Sequence, residues 1–324
     1  MDIDFIHWDI NPEIINIMGF SLRYYGILFA GGIMLSAFIL KQIFKNENIP
    51  LHKLDTLTIY GVIGIFAGAR LGHCLFYDPS YYFNHPLEML LPIQLTDSGE
   101  YKFTGYQGLA SHGGAVGLII ALILYSRKTQ ESIINTIDLI GVVAPLGACF
   151  IRLGNLMNSE MIGFPTNVPW AFIFEREDNL PRHPTQLYEA ISYLSIFLLI
   201  FYLYKTNRPK LQNGFFFGIS ISLIFIARFF IEFLKVRQVP FEEQMQLDMG
   251  QLLSIPFILI GLGFVIYELM KTKRDKHENE LLATLGNRPA PQKKGSSKNI
   301  FRQSRGKFSK RSAIKEKKSS NNLT

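Results

Sequence analysis

"TIDLIGVVAPLGACFIRLGNLMNSEMIG" occupies Thr136–Gly163. It begins as an apolar run broken only by Asp138 and ends on Arg152, Asn155, Asn158 and Glu160. A helix crossing a hydrocarbon core of about 30 Å needs about 20 such residues, and Thr136–Met157 supplies them. Six more runs of this kind follow the same logic: Ser21–Leu40, Leu54–Phe76, Ala110–Tyr125, Leu187–Tyr204, Gly214–Leu234 and Met249–Met270. With 48% hydrophobic residues over 324 positions and a positive mean hydropathy, a soluble chain would lack the polar surface to cover them. The expected fold class is all-α, a polytopic membrane protein with seven transmembrane helices. Lipid-exposed backbone must satisfy its own hydrogen bonds, and no barrel-like alternation is present.

Charge is unevenly spread. From Lys271 onward there are 16 Lys and Arg against 4 Asp and Glu, so the net +7 belongs to the tail and the body is mildly acidic. The reading divides the chain into a catalytic membrane domain over residues 1–271 and a basic, disordered, cytoplasmic tail over 272–324. Two long outer loops, about 77–109 and 158–186, are large enough to hold a function or small structures of their own. Lys41, Lys45, Lys53, Arg127, Lys128, Lys205, Arg208 and Lys210 fall in alternate short connections. The positive-inside rule therefore places the amino terminus in the periplasm and the carboxyl terminus in the cytoplasm. The first twenty residues carry four acidic groups and no Lys or Arg, unlike a cleaved signal, so the first apolar helix is expected to be retained. Cys74 and Cys149 lie in apolar runs and offer no disulfide framework or metal-ligand spacing. No metal and no organic cofactor is expected, and no nucleic-acid partner.

This topology brings polar groups from every span to one depth near the outer boundary: Arg23, Tyr24, Tyr25, Arg70, His112, Arg152, Asn155, Asn158, Tyr188, Glu189, Arg228, Glu232 and Gln251. A charge at the bilayer centre costs about 2.5 kcal/mol or more, so such groups normally face the bundle interior and mark a site. Blander roles stand beside that one. Arg23 and Tyr24 suit headgroup anchoring, Arg70 suits a structural pair with a neighbouring carboxylate, and Arg228 with Glu232 at i, i+4 suits an ion pair. His112 lies in "SHGGAVG", whose glycines permit close helix approach and a packing role. Asn155 and Asn158 suit interhelical hydrogen bonds, and Asp138, at the opposite end of its span, suits capping or packing. Two guanidinium groups with a histidine and carboxylates at a lipid-accessible depth point to an anionic, phosphate-bearing lipid as ligand.

"RLGNLMNSEMIG" at Arg152–Gly163 resembles the segment G-R-x-G-N-[FL]-x-N-x-E-x-x-G of bacterial prolipoprotein diacylglyceryl transferases, with Ile151 in place of the opening glycine. "RYYG" at Arg23–Gly26, "ARLGHCLFY" at Ala69–Tyr77 and "GLASHGG" at Gly108–Gly114 extend the resemblance, as do "RHPTQLYE" at Arg182–Glu189, "RFFIEF" at Arg228–Phe233 and "GQLLSIP" at Gly250–Pro256. The resemblance implies an inner-membrane enzyme with its active site toward the periplasm. It would move the diacylglyceryl group of phosphatidylglycerol to the lipobox cysteine in the signal peptide of a preprolipoprotein, releasing glycerol 1-phosphate. It also implies functional roles for Tyr25, His112, Arg152, Asn155, Glu160, Gly163, Arg228 and Glu232. A tyrosine often found in the family four residues before the second arginine is Ile224 here.

On that reading Arg152 and Arg228 hold the lipid phosphate and offset its growing charge. The incoming thiol, with an ordinary pKa of about 8.5, must lose its proton. His112 is the simplest base, with Glu232 and Glu160 as alternatives. Asn155, Asn158, Glu160 and Gly163 shape the lipid-binding loop. Two other classes are compatible with seven spans: a secondary transporter for an anionic metabolite and a non-enzymatic lipid-binding scaffold. Transporters place their sites near the midplane between repeats, and this chain has neither an internal repeat nor a deep polar cluster.

Overall fold

The computed structural model describes residues 5–17, 20–96, 99–103, 108–208, 211, 214–237 and 245–286. The larger of its two units covers Met1–Lys276, and the second covers His277–Thr324. Six helices are long and apolar enough to cross a membrane: α1 (Tyr24–Asn46), α2 (Leu51–Phe76), α6 (Ile133–Met157), α7 (Thr185–Asn207), α8 (Phe215–Glu232) and the Met249–Glu278 part of α9 (Met249–Gly286). The chain is thus mostly helical and has the character of a polytopic membrane protein. The third expected span is also helical, as α5 (Ser111–Thr129), but is not among those six. Met34, Phe38, Ile63, Phe230 and Leu259 point outward from the helices, as lipid-facing side chains do.

α6 packs against α1, α7 and α8, and half of its most apolar window is buried, against 17–33% in the other five spans. Small residues make this possible: a Cβ on Gly141 would lie 2.7 Å from the Phe217 Cα, and one on Gly32 would lie 2.7 Å from the Phe150 Cβ. The second seam joins α2 to α5. Cβ atoms added to Gly68, Gly113 and Gly117 would fall 2.4, 2.2 and 2.0 Å from backbone oxygens across the seam. The two backbones touch, as the glycines of "SHGGAVG" suggested.

One end of the bundle holds the largest apolar core, with Leu40, Ile43, Phe44, Leu139, Val142, Ile200, Tyr204 and Phe216. Arg208 closes that end. It donates from Nε to Glu47 at 2.9 Å and from Nη1 to Asp138 at 2.7 Å, while Tyr204 donates its hydroxyl to Glu47 at 2.9 Å. Asp138 also accepts the Phe217 N–H at 3.0 Å. Asp138 thus takes the structural role, capping or packing, that its place suggested: it accepts an N–H from the first turn of α8 and pairs with Arg208.

The strictly all-α expectation needs correction outside the spans. β1 (Ile6–Trp8) pairs parallel with β6 (Phe172–Phe174), which pairs antiparallel with β7 (Pro181–Arg182). β2 (Glu13–Ile17) and β3 (Phe20–Arg23) form one hairpin-like pair, and β4 (Ile93–Leu95) and β5 (Tyr101–Phe103) another. The residues before Tyr24, expected to open the first span, are therefore strand. Strands of two to five residues are too short to show a period, and β1 finds its partner across the chain.

The 77–109 segment also carries α3 (Pro79–Asn84) and α4 (Pro86–Leu90). Buried Arg70 organises it, donating to the carbonyls of Glu88, Met89 (3.2 Å) and Gly108 (3.4 Å). At the other terminus α9 runs on to Gly286 instead of ending near residue 271. The rest of the basic tail lies outside the described residues.

Candidate active site

At the end of the bundle opposite Arg208, the last turns of α6 lead into a tight turn over residues 158–163. Asn158 N–H closes the helix on the Gly154 carbonyl at 3.1 Å, and Ser159 (φ 57°) and Met161 (φ 60°) then take left-handed backbone. This reversal turns Glu160 back over the helix end. Its carboxylate accepts from Asn155 Nδ2 and from Asn158 Nδ2, both at 3.0 Å, while Asn155 Oδ1 accepts from Arg152 Nη1 at 3.3 Å. Arg152, Asn155, Asn158 and Glu160 are thus one connected set. Tyr25, at the start of α1, packs flat against Gly154: a Cβ there would lie 2.8 Å from the tyrosine ring. The ring lies within electrostatic reach of Arg152 and Glu160.

The second half of the site comes from α7 and the end of α8. Glu189 is fully buried and sits between two cations, with Arg152 Nε 3.1 Å from Oε2 and Lys235 Nζ donating to Oε1 at 3.0 Å. The Arg152 contact is a charge contact, not a well-aligned hydrogen bond. Lys235 also donates to Glu232 Oε2 at 3.0 Å. Tyr193 donates to Glu189 Oε1 at 3.2 Å, and the charges of Arg152 and Arg228 both bear on its hydroxyl. The Arg228–Glu232 ion pair that the spacing left open as the blander role is not formed, and Glu232 pairs with Lys235 instead. Arg228 is half-buried and makes no ion pair with any described residue.

Gly163 closes the loop against the residues just before α7 and just after α8. Its N–H donates to the His183 carbonyl at 3.0 Å and Phe164 N–H to the Leu234 carbonyl at 2.8 Å. A Cβ at Gly163 would lie 2.6 Å from that His183 oxygen, so only glycine fits. Arg182 adds a bond from Nη1 to the Gly163 carbonyl at 3.1 Å and grips Asp178 with Nε and Nη2. Asp178 is held below the usual carboxylate range mainly by those Arg182 bonds. Burial pushes His183 below the usual imidazole value.

His112 stands apart from this network. It lies in the first turn of α5, is exposed, and its side chain makes no hydrogen bond to a described residue. Its backbone is nonetheless well placed, since Ala110 N–H donates to the Ala69 carbonyl at 2.9 Å and Gly113 sits against Gly72. Sequence reasoning passed over Lys235 and undervalued Glu189. Both are single charges near helix ends, where a loop or boundary role is the ordinary reading. The available signal was spacing, with Glu232–Lys235 at i, i+3 and Gln186, Glu189 and Tyr193 stacked along one helical face.

The arrangement suits an anion. Arg152 is fixed by Glu189 and Asn155, Arg228 has no competing carboxylate among the described residues, and Glu160 and Glu232 are occupied by amide and ammonium donors.

Residues 12–267 match the family model described as prolipoprotein diacylglyceryl transferase. The chain belongs to that family. A relative from Bacteroides fragilis, named phosphatidylglycerol–prolipoprotein diacylglyceryl transferase, is 54% identical over 262 residues, 81% of this chain and 95% of the relative. Relatives of the same name from Porphyromonas gingivalis (41%, covering 81% of this chain and 94% of the relative) and Tolumonas auensis (40%, covering 83% and 100%) are also similar. The family match takes in α1 through the first half of α9 and every residue of the polar network, but leaves the basic tail outside.

Proposed function

We propose that this chain is a membrane-embedded transferase that moves the diacylglyceryl group of phosphatidylglycerol onto the lipobox cysteine of a preprolipoprotein, the first step of lipoprotein maturation. The cysteine thiolate attacks the glyceryl carbon next to the phosphate. A carbon–sulfur bond forms as the carbon–oxygen bond breaks, and the electron pair leaves with glycerol 1-phosphate. The observation that carries this reading is the pairing of a pinned Arg152 with a half-buried Arg228 that has no described ion-pair partner, in a chain 54% identical to a relative bearing that name.

In this reading Arg152 and Arg228 fork onto the phosphate and offset the charge that grows on the leaving oxygen. Asn155, Asn158, Glu160 and Gly163 hold the loop that faces the lipid head, and Tyr25 walls it through Gly154. Glu232 acts through Lys235. His112 takes the thiol proton, because it is exposed while Glu160 and Glu232 already accept hydrogen bonds. The leaving group is a phosphate ester and needs neither metal nor organic cofactor for activation. α5 serves as a seventh span, the amino terminus and the Arg152 end face the periplasm, and the tail from about residue 272 is cytoplasmic. The basic connections gathered on one side of the spans support that orientation. The membrane is the bacterial inner membrane.

The test is direct. Purified full-length protein incubated with phosphatidylglycerol and a lipobox peptide should add a diacylglyceryl mass to the peptide cysteine and release glycerol phosphate in equal amount. Lipid binding without either product would overturn the proposal.

A further inference from the structure

We infer that Thr185 and Gln186, the first two residues of α7, are positioning residues that hold the 158–163 turn in its working shape; the inference rests on the transferase reading above. Left-handed backbone is unfavourable for Ser159 and Met161, neither of which is glycine or asparagine, and persists only where the surroundings over-determine it. The determinants are visible. Thr185 Oγ1 donates to the Met161 carbonyl at 2.6 Å, and Gln186 Nε2 donates to the Glu160 carbonyl at 2.5 Å. Both side chains are completely buried. Consecutive residues of a helix thus capture consecutive carbonyls of the turn, fixing the peptide planes on either side of Met161. With the backbone held there, the Glu160 carboxylate faces Asn155 and Asn158.

A packing role alone does not account for Gln186. Its Oε1 is buried with no hydrogen-bond partner among the described residues, a cost that Met or Leu in the same space would avoid. What glutamine supplies and those residues lack is the amide donor. Three residues further along the same face, Glu189 contacts Arg152. One helix therefore sets both ends of the polar segment, Arg152 through Glu189 and Glu160 through Gln186. The separation between the guanidinium and the carboxylate is fixed by α7 instead of being left to the turn.

The experiment uses full-length protein in detergent with Thr185→Val, Gln186→Met and Thr185→Ser, reading lipid-transfer kinetics and amide hydrogen exchange. Losing one buried bond in the turn should lower kcat about tenfold in T185V and Q186M, with KM for phosphatidylglycerol changed by less than about threefold. Exchange at amides 159–163 should quicken by about tenfold while the α8 amides keep their wild-type rates. T185S, which keeps the hydroxyl, should restore both readings. The inference is overturned if exchange in the turn is unchanged in T185V and Q186M, if turnover stays at wild-type level in both, or if T185S behaves like T185V. Should the wild type transfer no lipid at all, the transferase reading fails separately, and the exchange comparison still decides whether these two residues hold the turn.

Discussion

Arg152 and Arg228 carry the same charge but are held differently, and that difference separates their variants. Arg152 shares a buried network with Glu189 and Lys235, whereas Arg228 has no ion-pair partner among the described residues. Arg152→Ala should abolish transfer and also destabilise the protein by about 3–5 kcal/mol, because it leaves part of a buried carboxylate uncompensated. Arg228→Ala should abolish transfer with a much smaller loss of stability. Paired measurements of turnover and thermal unfolding in detergent check both. Arg228→Lys keeps the charge but loses the planar fork, and should lower kcat/KM by about 10- to 100-fold. At this scale much of the network was legible, since Arg152, Asn155 and Glu160 are conspicuous at the end of an apolar run. Glu189 and Lys235 were not, because one buried charge near a helix end looks like any boundary residue until its partner is seen across the fold. Arg228 and Glu232 show the limit of spacing: i, i+4 permits a pair, but Lys235 lies closer to the carboxylate.

At the scale of elements, the spans were readable because a membrane imposes length and hydropathy together, and most helix ends fell within a few residues of expectation. The short strands were not, because their partners are non-local. The α2–α5 seam gives a sharp prediction. Gly117→Val places a branched side chain where even a Cβ would sit 2.0 Å from the Gly64 carbonyl. It should lower the unfolding midpoint, at a cost of at least the about 1–3 kcal/mol typical of overpacking, and reduce turnover by moving the start of α5. The 158–186 segment should respond to acid. Asp178 has its folded pKa lowered by Arg182, and His183 has its own lowered by burial. In both cases the unfolded chain binds protons more readily, so stability rises with pH. The His183 contribution is present above about pH 6.5 and the Asp178 contribution above about pH 3.9, and each fades as pH falls through the lower folded value. Hydrogen exchange in this segment, measured as free energy of opening, should therefore weaken on acidification. Asp178→Asn should remove the lower-pH component while leaving the upper one.

For the whole molecule, the decisive property is sidedness. In a variant lacking Cys74 and Cys149, a cysteine replacing Asp178 should react with a membrane-impermeant maleimide in intact spheroplasts, and one replacing Lys128 only after permeabilisation. The reverse pattern would invert the proposed orientation.

The Arg208 knot has a consequence for how the protein is made. Asp138 is wholly buried, yet its cationic partner follows 70 residues later, and Glu47 waits 161 residues for the same guanidinium. While the ribosome is still translating the α7 region, α6 already sits in the bilayer with an uncompensated acid at one end. Nascent chains stalled just short of residue 208 should accordingly be cleared by membrane proteases, whereas chains released shortly after it can lock α1, α6 and α7 together from that end.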